Sequence, residues 1–68
     1  MILRWWDARD GSEHETPVDY VEVCPDGTVE GYRYMPVPTA ETHISKMEFV
    51  GVQQLAPSDV QGRVLVVA

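Results

Sequence analysis

The sequence predicts a mostly β fold, a small five-stranded antiparallel barrel or strongly bent sheet with at most one or two short helical turns. Three observations carry that expectation. Runs rich in valine, tyrosine and tryptophan are short and separated by Gly, Pro, Asp and Ser, the pattern of strands joined by turns. One pair of runs brackets Pro25-Asp26-Gly27, which has the residue chemistry of a hairpin turn. No stretch sustains a helical period long enough to build a packed helix.

The elements follow in order. Residues 2–6, Ile-Leu-Arg-Trp-Trp, read as a first strand. Adjacent tryptophans in a strand face opposite sides, so Trp5 and Trp6 cannot share a one-sided core. Residues 7–16 carry no hydrophobic period and are rich in acids and turn-formers, so they read as a loop of about ten residues. Residues 18–24 and 28–35 form the hairpin. Proline presets the first central position, aspartate suits the second, and Gly27 takes the left-handed conformation of a bulged three-residue loop.

That loop length sets the register. It pairs Cys24 with Thr28, Val23 with Val29, Val21 with Gly31, Tyr20 with Tyr32, Asp19 with Arg33 and Val18 with Tyr34. One face then carries Val21, Val23, Val29 and the bare backbone of Gly31, where a bulky neighbour such as a Trp ring is expected to sit. The other carries Val18, Tyr20, Tyr32 and Tyr34, with Glu22 opposite Glu30.

Pro36 and Pro38 are expected to end the third strand, since proline cannot donate to a sheet ladder. Over 39–47, Thr39 can cap a short helix with Ala40, Ile44 and Met47 at helical spacing, giving one or two turns at most. Residues 47–55 alternate as a fourth strand with Gly51 at a bulge. Pro57-Ser58-Asp59 begins a turn. Residues 63–68 form a fifth strand, apolar on both faces apart from Arg63, so 64–67 are expected to be the most buried stretch, either as an inner strand or at a self-association interface. Five short strands in this order suggest an SH3-like architecture, and residues 1–68 read as one small β domain.

Composition bounds the chemistry. A chain of 68 residues buries a smaller share of its surface than larger domains do, so a catalytic cleft beside an intact core is hard to build. Cys24 is the single cysteine; with no intramolecular disulfide to form, a reducing, cytoplasmic setting is expected. The first residues lack the apolar core of a signal peptide. The longest apolar run, 64–68, is far short of a membrane span.

No constellation supports catalysis or a metal. Cys24 precedes a proline at a strand end amid acids, which disfavours a thiolate. With Cys24, His14 and His43 dispersed, a zinc site lacks its spacing. In Asp7-Ala8-Arg9-Asp10-Gly11, Arg9 and Gly11 stand where a calcium loop needs oxygen ligands. Glu13-His14-Glu15 reads as a solvated loop segment. The five glycines are isolated, so no phosphate-cradling loop exists. A non-enzyme without a cofactor is expected.

Eleven acids against five Lys and Arg give a formal charge of −6, which opposes direct nucleic-acid binding. The excess is one-sided, because residues 1–30 hold eight acids and two bases while 31–68 hold three of each. The aromatic residues are too many and too large for one small core, and Tyr and Trp are enriched where interfaces concentrate their energy. The expected function is therefore protein binding: a small acidic inhibitor or adaptor docking on a basic surface of a larger protein, such as one that binds nucleic acid, with no membrane partner. Tyr20, Glu22, Glu30, Tyr32 and Tyr34 are the expected partner-binding residues. In size and charge the chain is similar to small acidic phage or mobile-element anti-defence proteins, an analogy of class that rests on no motif. The alternative expectation is a self-assembling structural subunit, a homo-oligomer that uses the C-terminal apolar strand as its pairing edge.

Overall fold

The computed structural model describes residues 1–39 and 45–68. The chain forms β1 (Ile2–Trp6), β2 (Glu13–Pro17), β3 (Tyr20–Val23), β4 (Val29–Pro38), β5 (Ser45–Leu55), one turn of 3-10 helix at Pro57–Asp59, and β6 (Leu65–Val67). These strands make two three-stranded antiparallel sheets, β2-β1-β6 and β3-β4-β5. The mostly β expectation holds in that form. The barrel does not: among the described residues the strands form two separate sheets rather than a closed barrel, with six strands where five were expected.

The sixth strand is β2, which lies inside the expected loop. Its sequence, Glu-His-Glu-Thr-Pro, has little intrinsic strand preference, and cross-strand contacts make up for that. Trp5 stands opposite His14 in register, their rings stacked with centroids 5.6 Å apart. Arg4 reaches Glu13 at 3.2 Å and Glu15 at 2.8 Å. The turn between β1 and β2 is tight, with Gly11 at φ +73° donating its N–H to the Asp7 carbonyl at 2.8 Å.

The hairpin follows the expected register from Tyr20↔Tyr32 to Val23↔Val29. Gly27 sits at φ +90°, Cys24 donates to the Thr28 carbonyl, and Gly27 donates to the Cys24 carbonyl. The register does not extend to Val18. The Val18 N–H goes to the Met1 carbonyl at 2.9 Å, so Val18 belongs to the crossing between sheets and is buried in the core rather than on the tyrosine face. Val23, expected on the core face, is 68% exposed because it stands at the hairpin tip beyond the cover of the first sheet.

β4 runs through both prolines to Pro38, against the expectation that they end it. The N–H of Tyr34 points away from β5, to Asp19 Oδ2 at 2.8 Å. Backbone direction repeats every two residues, so the missing N–H groups of Pro36 and Pro38 fall on that same side, past the end of β3, where no ladder needs them. Residues 40–44, which include most of the expected helical turn, lie outside the described residues; 45–47 are strand.

β5 contains a bulge. Gly31 faces Gln53 whereas Tyr32 faces Gly51, leaving Val52 as the extra residue, one position from the expected Gly51. The inserted residue reverses which face the alternating side chains address. Phe49, opposite Tyr34, is on the outer face, while Leu55, opposite Val29, is on the inner one.

The core lies between the sheets. Leu3, Trp5, Val18 and Leu55 are buried, with Val21, Val29, Val60 and Val64 packed against them. Trp6 faces away from this cluster and is half-buried. Gly31 is covered as expected, though by Leu3 and Val18 rather than by a Trp ring. The C-terminal segment is not an inner strand, because β6 is a three-residue strand at the edge of its sheet. Val66 is 54% exposed, and the central position that excludes water belongs to β1. No helix of the described residues is long and apolar enough to cross a membrane.

Candidate docking face

The outer face of β3-β4-β5 gathers the residues singled out by the sequence. Pairing Tyr20 with Tyr32 and Glu22 with Glu30, together with strand alternation, puts Tyr20, Glu22, Glu30, Tyr32 and Tyr34 on one side and Val21, Gly31 and Val29 on the core side. The structure adds Phe49, which sequence reasoning missed. The bulge at Val52 turns Phe49 outward against Tyr34; reading β5 as an uninterrupted alternation would place it with Leu55. The glycine at 51 was the available signal.

The rings form a connected cluster. Tyr20 lies 5.8 Å from both Tyr32 and Phe49, and Phe49 lies 5.0 Å from Tyr34, all tilted by 46–54°. Offset and tilted contacts are the favourable arrangements for aromatic pairs. The cluster is nonetheless open to solvent: Phe49 is 57% exposed, and Tyr20 and Tyr34 about half. Between Tyr20, Glu22, Tyr32 and Phe49 lies a depression of about 300 Å³.

Two carboxylates, Glu22 and Glu30, stand opposite each other on this face. Glu30 accepts the Tyr32 hydroxyl at 2.5 Å and Gln54 Nε2 at 3.5 Å. That hydrogen bond, then partial burial and the charges of Glu30 and Glu22, pushes the Tyr32 phenol up to about 12. Tyr32 is therefore a neutral donor that holds the Glu30 carboxylate in place. Arg4, Arg9 and Lys46 are engaged with Glu13 and Glu15, with Asp7 and with Glu48. Among the described residues neither Glu22 nor Glu30 enters an ion pair.

Comparison with protein families, with curated proteins and with solved structures finds no match.

A second polar cluster lies at the β1–β2 turn. Ser12 Oγ is 2.9 Å from His14 Nε2, and Asp7 Oδ2 is 4.0 Å from that same nitrogen. A nucleophile–base–acid chain needs the acid on the opposite ring nitrogen. The Ser12 hydroxyl is also donated to Asp10 Oδ1 at 2.7 Å. Asp7 is committed to Arg9, whose side-chain and backbone hydrogen bonds hold its carboxyl down at about 2. The hydrogen bonds of this cluster cap the β1–β2 turn. Cys24 is no better placed, since burial, then the charges of Glu30, Asp26 and Glu22, raise its thiol pKa and keep it protonated. No group of three or more His, Cys, Asp or Glu among the described residues is arranged to hold a metal ion.

Proposed function

We propose that the protein is a non-enzymatic binding module that docks the outer face of β3-β4-β5 onto a basic surface of a larger protein, as an inhibitor or adaptor does. The observation that carries this reading is the exposed four-ring cluster beside two carboxylates that face each other across strands. Like charges directly opposite on a sheet are mutually destabilising, and a basic partner relieves that repulsion while the rings supply area that is rigid and cheap to order. An occluded nucleic-acid-binding patch on a host protein would fit this chemistry, because such patches are basic.

The test is capture from host lysate with the wild-type protein and with Glu22→Lys combined with Glu30→Lys, each checked for folding by circular dichroism. The reading requires a basic protein that the wild type retains at low salt, releases as salt rises, and loses in the reversed variant. Retention by the folded variant would move the interface elsewhere.

A second reading is self-assembly through β6, supported by its edge position and by the exposure of Val66. Sedimentation over a range of concentrations separates the two, a stable oligomer favouring assembly and a monomer favouring the docking face.

A further inference from the structure

Resting on the docking-face reading, we propose that the depression between Tyr20, Glu22, Tyr32 and Phe49 is a subsite for a single arginine side chain of the partner. The geometry narrows the ligand class in three steps. Three of the four lining residues are aromatic, and the Tyr20 ring lies 5.8 Å from both of its aromatic neighbours, so the lining offers π-electron density with few donors. The polar group at the rim is a carboxylate, Glu22, with Glu30 opposite it in register. Such a lining selects a cation over an anion or a neutral polar group.

Within the cations, guanidinium fits better than ammonium. The hollow is shallow and its walls are half exposed, so an entering group is only partly desolvated. Guanidinium is weakly hydrated and planar, can stack flat on a ring, and can present a fork of N–H donors to a carboxylate at the same time. Ammonium is a strongly hydrated point charge that gains little from a half-open aromatic wall. The two carboxylates have different roles. Glu30 is already bound to the Tyr32 hydroxyl and Gln54, which leaves Glu22 to take the fork and Glu30 to add charge at the Tyr32 hydroxyl.

The test is an NMR titration of the protein with blocked Gly-Arg-Gly, Gly-Lys-Gly and Gly-citrulline-Gly peptides, followed at the ring protons of Tyr20, Tyr32 and Phe49. The arginine peptide should bind about two- to fivefold more tightly than the lysine peptide, the scale of one cation–π contact at an exposed site. Its side-chain methylene signals should move upfield, and citrulline should leave the rings unmoved. Phe49→Leu removes one wall at an exposed position and should abolish the preference for arginine over lysine. Equal binding of arginine and lysine, or a preference that survives Phe49→Leu, overturns the subsite.

Decalysine, a charge-only probe, tells that failure apart from failure of the docking face. If Glu22→Lys with Glu30→Lys abolishes decalysine binding while the wild type does not discriminate arginine from lysine, the subsite is wrong and the acidic face stands. If decalysine binds the reversed variant as well as it binds wild type, both are wrong.

Discussion

A δ-methyl of Leu3 occupies the space where Gly31 would carry a side chain: a Cβ built on Gly31 would lie 2.8 Å from Leu3 Cδ1, and 2.7 Å from Val18 Cγ1. Leu3 is fully buried in the middle strand of one sheet and Gly31 is in the middle strand of the other, so the sheets approach each other through this contact.

Gly31→Ala should therefore destabilise the protein by about 1–3 kcal/mol through overpacking, although alanine is otherwise a mild change. Both obstructing groups belong to buried side chains with little room to turn. Urea denaturation followed by Trp fluorescence reads the loss, and an unchanged midpoint would contradict the close approach.

Gly27→Val acts through the backbone. At φ +90° a branched side chain is strained, and its Cβ would also stand 3.1 Å from Pro57 Cγ. The expected cost is about 1–2 kcal/mol, measured by denaturation. Val23→Thr, at an exposed position beside the turn, serves as the control and should be nearly silent.

Asp7 sets part of the acid stability. Its carboxyl is lowered from 3.8 to about 2 by its hydrogen bonds to Arg9. A depressed carboxylate stabilises the folded state above its unfolded pKa, and that contribution is lost as pH falls through the folded value. The thermal midpoint should decline between pH 3.8 and about 2, and Asp7→Asn should flatten that decline.

Tyr32 gives the opposite edge of the pH range. Its phenol is raised from 10.0 to about 12, first by the hydrogen bond to Glu30. The stability this adds is present below pH 10.0 and is lost as pH rises through the folded value. Spectrophotometric titration should show Tyr32 ionising late, and Glu30→Gln should bring it back toward 10.0. An unchanged titration in that variant would remove the Glu30–Tyr32 hydrogen bond from the account.

What could be read from the chain depended on whether the signal was local. The turn at Pro25-Asp26-Gly27 and the register from Tyr20↔Tyr32 to Val23↔Val29 were legible because turn chemistry fixes pairing within a few residues. With that register came the shared face of Tyr20, Glu22, Glu30, Tyr32 and Tyr34. β2 was not legible, since its residues are poor strand formers and it pairs through Trp5–His14 stacking and Arg4–Glu contacts that reach back to β1. Val18 was misplaced because alternation stops where the chain leaves one sheet for the other. The prolines were misjudged because whether a missing N–H matters depends on which side of β4 has a neighbour.

The extra residue at Val52 works as a frame shift in the geometric sense. Phe49 and Leu55 have the same parity in the sequence, yet one is displayed to solvent and the other is sealed inside. A deletion of Val52 would put the two back in phase, so that Phe49 would crowd the interior or Leu55 would be evicted from it. The outer aromatic surface and the hydrophobic interior are thus written on one strand in two frames, and a single codon separates them.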